Sequence, residues 1–270
     1  MIYQNHKYKF GLKQFLCFIL VIQILLIINF LNYKKRFPNK KRVGVVNLPN
    51  FQNVGNILVK FAMFKILEDF GFNATIIAPR HKIPQWNGDI SFLNKAIKFH
   101  SLVVNANFYE VKEDDYDYLI VNSDQTWGFY KDNYFYNVAL LKFSENWTVH
   151  KFIYATSMGR YSWYFKKTDE KLFKKLLKNF SGISFREIGT VKILKKHLGL
   201  ESVFVLDPTL LIDKLYYLNE IKNFKPNFPP SEKFIFVYQL DKNDILDKII
   251  KDSSEKFNYK IYKHFMWKSD

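Results

Sequence analysis

From residue 42 onward, short apolar runs alternate with amphipathic stretches, and the spacing within each predicts its conformation. Arg42-Val-Gly-Val-Val-Asn47 is an apolar run bounded by polar residues, the pattern of a buried strand. After a loop holding Pro49, Asn53 and Gly55, the residues Ile57, Leu58, Phe61, Phe64 and Leu67 recur at helical spacing. Gly71 then sits where a helix C-terminal glycine belongs. Ala74-Thr-Ile-Ile-Ala78, closed by Pro79, predicts the next strand, so the order strand, loop, helix, strand makes one βαβ unit. Tyr118–Val121 and Phe152–Ala155 predict further strands. Residues 168–180 put Leu172, Phe173, Leu176 and Leu177 on one helix face and Lys171, Lys174, Lys175 and Lys178 on the other. Ile183–Phe185 predicts a strand, 187–198 a helix and Val203–Leu206 another buried strand. Buried strands alternating with helices predict an α/β domain built on a parallel sheet, over residues 43–221.

The pattern breaks at 222–231, KNFKPNFPPS, which reads as a proline-rich linker. Phe234–Tyr238 then predicts a buried strand, Asp244–Lys256 a helix and Tyr259–Tyr262 a strand. Residues 232–270 are too few to close a doubly wound sheet, so they are expected to be the start of an incomplete second α/β domain.

Before residue 42 the pattern is of a different kind. After a short tail (1–14), residues 15–33 are almost continuously apolar, with only Gln23 and Asn29 polar between Phe15 and Leu31. As a helix this run reaches about 25 Å, close to the hydrocarbon thickness of a bilayer. The residues that follow, NYKKRF, offer nothing small for a signal peptidase. The segment is therefore read as a retained single-pass anchor, joined by a basic connector (34–42) to the rest, with the lipid bilayer as a partner. The more basic flank would place the bulk of the protein in the cytoplasm. The sequons at Asn73, Asn146 and Asn179 would matter only in a secretory lumen. A Golgi-type secretory membrane and a cell inner membrane both remain as locations.

Charge changes the picture once it is located. The 270 residues carry 41 Lys and Arg against 25 Asp and Glu, a formal charge of +16. Nine of the basic residues and no acid fall in residues 1–42, which leaves +7 for all the rest. The excess belongs mainly to the flanks of the anchor, and with no nucleic-acid module present, nucleic acid is not expected as a partner. A hydrophobic share of 48% excludes a disordered chain. The single cysteine excludes a disulfide framework, and the scattered histidines show no metal-ligand spacing, so no metal is expected.

In open parallel sheets, ligands bind beyond the carboxyl ends of the strands, and four segments put polar residues there. Asn53-Val-Gly-Asn56 offers backbone N–H groups at a helix start, suited to an anion, although an ordinary tight turn accounts for it equally. Asn122-Ser-Asp-Gln-Thr-Trp127 supplies an acceptor, an amide and an apolar wall, as a sugar site needs; a helix N-cap with a packing Trp is the structural alternative. Ser184-Phe-Arg-Glu187 delivers an arginine able to bind carboxylate or phosphate through paired N–H groups. An ion pair of Arg186 with Glu187 or Asp207 is its structural alternative. Leu206-Asp-Pro-Thr209 ends a strand in a turn.

Taken in order, these segments together with Phe152-Ile-Tyr-Ala-Thr-Ser-Met-Gly159 resemble the polysaccharide pyruvyl transferase family. Its members carry N-x-G, G-S-D-Q-x-W, Y-A-x-S-x-G, S-x-R-E and D-P-T segments in this sequence. The chain departs from that pattern at Asn122, where glycine is usual, and at Asn56, where an acid is common. The resemblance implies a GT-B-type architecture of two facing Rossmann-like domains. It also implies transfer of a pyruvyl group from phosphoenolpyruvate to hydroxyls of a glycan or polysaccharide, as a ketal. Phosphoenolpyruvate is then the donor substrate, and no separate cofactor is expected. It assigns Arg186, Asn53 and Gly55 to the donor, and Asp124 and Gln125 to the sugar or to shaping the site; it names no catalytic residue here. The family's remaining donor-binding residues lie in the second domain, so a chain with that domain truncated is expected to be inactive alone or completed by a partner. A GT-B-type nucleotide-sugar glycosyltransferase and a non-catalytic anchored glycan-binding protein are the alternatives.

Overall fold

A computed structural model describes residues 41–48, 54–77, 103–104, 110–128, 133–222, 232–239 and 243–265. The expected anchor (15–33), nearly all of the connector and linker, and Asn53 lie outside them. Among the described residues, no helix is long and apolar enough to cross a membrane.

Seven strands form one sheet: β1 (Arg42–Val46), β2 (Asn73–Ile77), β3 (Val103–Val104), β4 (Tyr118–Val121), β5 (His150–Thr156), β6 (Gly182–Phe185) and β7 (Val203–Phe204). Their spatial order is β3-β2-β1-β4-β5-β6-β7, and every pairing is parallel. Chain order therefore runs outward in both directions from β1 and β4, which makes the gap between them the topological switch point. The crossover helices are α1 (Val54–Asp69), α2 (Asn133–Leu140), α3 (Lys167–Leu177) and α4 (Ile188–Leu198), and α5 (Lys214–Ile221) follows the last strand of the sheet.

Alternation along the strands loads both faces of the sheet. Val43 and Val45 pack with Met63 and Leu67 of α1, joined by Tyr118, Ile120 and Tyr154. Val46, Leu119, Val121, Ile153 and Phe185 turn the other way, into the large core built on Trp127, Phe173, Leu176 and Leu194. Helix α1 is covered by α5 as well, where Ile57 and Phe61, clustered with Ile76 of β2, meet Tyr216 and Tyr217. That double cover explains why Asn56 and Lys60 are buried along with the apolar positions of α1. Helix α3 follows its predicted faces: Phe173, Leu176 and Leu177 are buried while Lys171, Lys174, Lys175 and Lys178 are exposed.

Two strands differ from the buried runs expected of them. The expected strand over Val203–Leu206 is only Val203–Phe204, and both residues are exposed, because β7 pairs with β6 alone at the edge of the sheet. Residues 232–265 form a second, two-stranded parallel sheet of β8 (Phe234–Gln239) and β9 (Lys260–Phe265), connected by α6 (Asp244–Phe257). In β8, Val237 and Gln239 are buried but Phe236 and Tyr238 are exposed, the alternation of a sheet covered on one face.

Candidate functional site

The switch point gathers a set of buried polar residues that the core does not need. Asn47 leaves β1 and donates its N–H to the carbonyl of Ile77, while its Oδ1 accepts from the N–H of Leu48. Asn122 leaves β4, and its Nδ2 donates to the Val59 carbonyl of α1 at 3.3 Å. Both side chains are fully buried. They bind the exits of the two central strands to neighbouring backbone.

Asp124 stands at the switch point. The carboxylate accepts from Asn56 Nδ2 at 2.6 Å through Oδ2 and from the Gln125 N–H at 2.7 Å through Oδ1. Its backbone φ is 128°, a conformation that side-chain-bearing residues rarely adopt. The geometry is held by the Ser157 N–H, which donates to the Asp124 carbonyl, and by a parallel bridge to Thr156. A second residue on this edge, Ala155, has φ of 51°, next to a register shift between β5 and β6. Backbone strain of this kind costs about 1–3 kcal/mol per residue and clusters at functional sites.

The neighbouring residue, Ser123, opens a second network. Its Oγ lies 2.9 Å from the Ala155 carbonyl and 2.7 Å from Asp207 Oδ2, two acceptors that share its single proton, and it accepts from Arg186 Nη1 at 3.3 Å. Arg186 Nη1 also donates to Asp207 Oδ2 at 2.7 Å, and its Nε faces Glu187 at 3.4 Å. Among the described residues Nη2 takes no hydrogen bond, and about a quarter of the Arg186 side chain is exposed (27%). Asp207 Oδ1 accepts from both the N–H and the hydroxyl of Thr209. Burial pushes the Asp207 carboxyl up, but the bonds from Thr209, Ser123 and Arg186 together outweigh it and hold the group below its ordinary value. Beside it, Tyr154 donates to the Leu206 carbonyl, and burial, followed by the charge of Asp207, pushes its hydroxyl up to about 12.

Lys60, one helical turn after Asn56, lies under this edge. It is 0% exposed, and burial pushes its ammonium down to about 7, opposed by the negative charge of Asp124.

Of the residues expected from sequence, the fold brings Asp124 and Arg186 to the same strand edge, one residue apart in their networks through Ser123. Gln125 is exposed at the rim. Its side chain packs so near Gly159 (φ 62°) that a Cβ there would lie 3.0 Å from Gln125 Cδ. Gly55 is exposed in the first turn of α1, apart from the two networks. The ion pair of Arg186 with Asp207, one of the alternatives for that arginine, is formed. Asn56 as the partner of Asp124, and Lys60 altogether, are the residues that pattern reasoning passed over. The available signal was a lysine four residues after Asn56, within a helix whose apolar positions run round most of its circumference. Among the described residues there is no group of three or more His, Cys, Asp and Glu side chains that could hold a metal ion.

A doubly wound α/β domain with strained, polar strand ends at its switch point has these groups where open parallel sheets bind ligands. The family model for polysaccharide pyruvyl transferase matches residues 53–270, and the chain belongs to that family. No curated protein matches the chain.

Proposed function

We propose that the chain is a membrane-anchored pyruvyl transferase that takes phosphoenolpyruvate as donor and a glycan as acceptor. The observation that carries this reading is the convergence of the family segments: Asn56 with Asp124, and Ser123 with Arg186 and Asp207, meet on one strand edge at the switch point.

In the proposed reaction, two sugar hydroxyl oxygens bond to the central carbon of the enolpyruvyl group and the carbon–oxygen bond to phosphate breaks. One hydroxyl proton ends on the methylene carbon, giving the methyl group of the ketal, and the other ends on the released phosphate. A base must take the acceptor proton, and cationic groups must hold the donor. Asp124 suits the role of base, because it is only partly buried and its carboxylate is fixed by an amide and a backbone N–H. Arg186 suits the role of donor clamp through its Nη2 edge, with Asp207 orienting the guanidinium. Arg186 is flanked by two carboxylates, so it does not by itself make the site cationic, and further donor contacts are assigned to the neighbouring segments. The N-x-G segment at the start of α1 is one of them. The unit over residues 232–265 is read as the opening of a second, facing domain. In support, Tyr238 of β8 accepts a hydrogen bond from the Val54 N–H at the start of α1.

The test is phosphate release from phosphoenolpyruvate with a galactoside acceptor, compared with donor binding by calorimetry. Turnover in the full chain, and loss of donor binding in a folded Arg186→Ala variant, are expected. Unchanged donor binding in that variant would leave Arg186 as a structural ion-pair partner only. Binding of a nucleotide sugar in place of phosphoenolpyruvate would redirect the reading to a glycosyltransferase.

A further inference from the structure

Four aromatic residues fall close together in the loop between β5 and α3, and three of them are packed. Trp163 lies flat against His197, with ring centroids 5.0 Å apart, and meets Phe165 and Phe173 edge-on. Phe165 is buried between Trp127 and Phe173. Tyr164 stacks on Phe165, and its hydroxyl donates to the carbonyls of Trp127 and Gly128, which share its proton. Tyr161 is the exception. It is 95% exposed, and before Ile188 no other large hydrophobic residue among the described ones is exposed. Such exposure alone carries no meaning, but the position of this ring does. The loop leaves the carboxyl end of β5, on the sheet edge that holds Asp124, and both its ends are tied to the turn after β4. At its start, the Ser157 N–H donates to the Asp124 carbonyl at 2.9 Å, and the Trp127 N–H donates to the Ser157 carbonyl at 3.1 Å. Ser157 Oγ accepts from the Gly159 N–H at 2.9 Å, and Gly159 packs against the Gln125 side chain. At its end, Tyr164 closes on Trp127 and Gly128. Tyr161 follows Gly159 by two residues, so their Cα atoms are within about 7 Å of each other. The exposed ring is therefore held beside Gln125 and the acceptor-side acid.

We propose that Tyr161 is the platform on which a sugar ring of the acceptor glycan stacks, and so a residue that selects the acceptor. The inference rests on the reading of Asp124 and Gln125 as the acceptor side of pyruvyl transfer, and it adds the apolar half of sugar recognition. A pyranose carries hydroxyls round its rim and C–H bonds on its faces, and in a galactoside several C–H bonds gather on one face. An aromatic ring covers that face and leaves the rim hydroxyls to amide and carboxylate groups. The segment Asn122–Trp127 contains such polar groups, and Trp127 is the apolar wall expected with them. Trp127, however, is 0% exposed and belongs to the large core, so it cannot meet a ligand. Tyr161 supplies the wall that Trp127 does not. A sugar suits this ring better than a protein partner. Arg160 and Ser162 on either side are exposed and polar, so the ring is not part of a contiguous apolar patch along the loop. A loop already tied at both ends also has little freedom left to lose when the ring is covered.

Two measurements on the full chain, in a detergent without a sugar headgroup, test this. In the first, binding of a β-galactoside disaccharide is followed by NMR saturation transfer for the wild type, Tyr161→Ala and Tyr161→Phe. The dissociation constant is expected to rise about tenfold in the alanine variant and to stay within about twofold in the phenylalanine variant. Unchanged affinity in Tyr161→Ala, or no binding to the folded wild type, overturns the proposal. A shift in oligomeric state of Tyr161→Ala with its sugar affinity intact also overturns it, and assigns the ring to a contact between copies of the chain. In the second, phosphate release from phosphoenolpyruvate is measured against galactoside concentration. KM for the galactoside is expected to rise about tenfold in Tyr161→Ala and to recover in Tyr161→Phe, with KM for phosphoenolpyruvate unchanged. A rise in KM for phosphoenolpyruvate alone would put the ring on the donor side and overturn the inference. A wild type that binds the galactoside through Tyr161 yet releases no phosphate sinks the pyruvyl-transfer reading and leaves the sugar platform standing.

Discussion

At the scale of single residues, the site is marked by groups that are costly where they stand. Lys60 is the clearest case, because its ammonium is held at about 7 against an ordinary value of 10.5. A lysine depressed in the folded state binds fewer protons there than in the unfolded chain. Its penalty is therefore complete below the folded value and disappears as pH rises through the unfolded one. Replacing it with methionine, which cannot titrate, should stabilise the protein at pH 7 and below, by up to about 5 kcal/mol at 1.36 kcal/mol per unit. The advantage should shrink steadily between pH 7 and 10.5; urea midpoints of the two proteins across that range measure it. Gly44 is kept for space. A Cβ on it would lie 2.8 Å from both Ile77 Cδ1 and Leu119 Cδ2, in the middle of the central strand. Gly44→Ala should cost about 1–3 kcal/mol by overpacking, read as a drop in thermal midpoint.

At the scale of elements, Asp207 is the joint that holds three strand exits together, through Ser123 after β4, Arg186 after β6 and Thr209 after β7. Asp207→Ala removes all four hydrogen bonds to that carboxylate and leaves Arg186 facing Glu187 alone. The pair is partly solvated, so a cost of about 2 kcal/mol at pH 7 is expected, below the value for a fully buried pair. Asp207 is depressed below its ordinary 3.8, so its contribution is present above that pH and is lost as pH falls through the folded value. The stability gap between wild type and variant should therefore narrow on acidification, which urea titrations at neutral and strongly acidic pH would show. The elements themselves were largely legible in the sequence, because period-two and helical spacings report burial. β1, β2, β4, β5 and β6 and helices α3, α4 and α6 fall where the pattern puts them. What was not legible depends on neighbours. The exposure of Val203 follows from an edge position that no local pattern encodes, and α5 is recognised as a cover for α1 only once Tyr216 and Tyr217 are seen against Phe61. Candidate site residues were found where they form contiguous polar segments, as at 122–127 and 184–187. Lys60 escaped because its burial depends on neighbours that no local pattern encodes.

At the scale of the whole molecule, the charge distribution separates two ways of meeting a membrane, and they differ in their response to salt. Residues 1–42 carry nine basic residues around an almost uninterrupted apolar run, and helix α3 carries an exposed row of lysines on an otherwise ordinary crossover. If attraction of lysines to anionic headgroups held the protein at the membrane, screening would release it: the interaction range shrinks to about 3 Å at 1 M salt. An apolar segment of about 25 Å in hydrocarbon has no such dependence, because transfer of its side chains from water is not an interaction between charges. We expect the full chain to sediment with membranes, to stay there in about 1 M salt, where that range is shortest, and at alkaline pH, and to enter solution only with detergent. Release by salt alone would assign the membrane contact to the lysine faces and remove the anchor from the proposal. Retention would place the strand-edge site at the end of a short basic connector, close to the bilayer. Acceptors presented on lipid carriers or on nascent glycans at the membrane would then reach Asp124 without the protein leaving the surface.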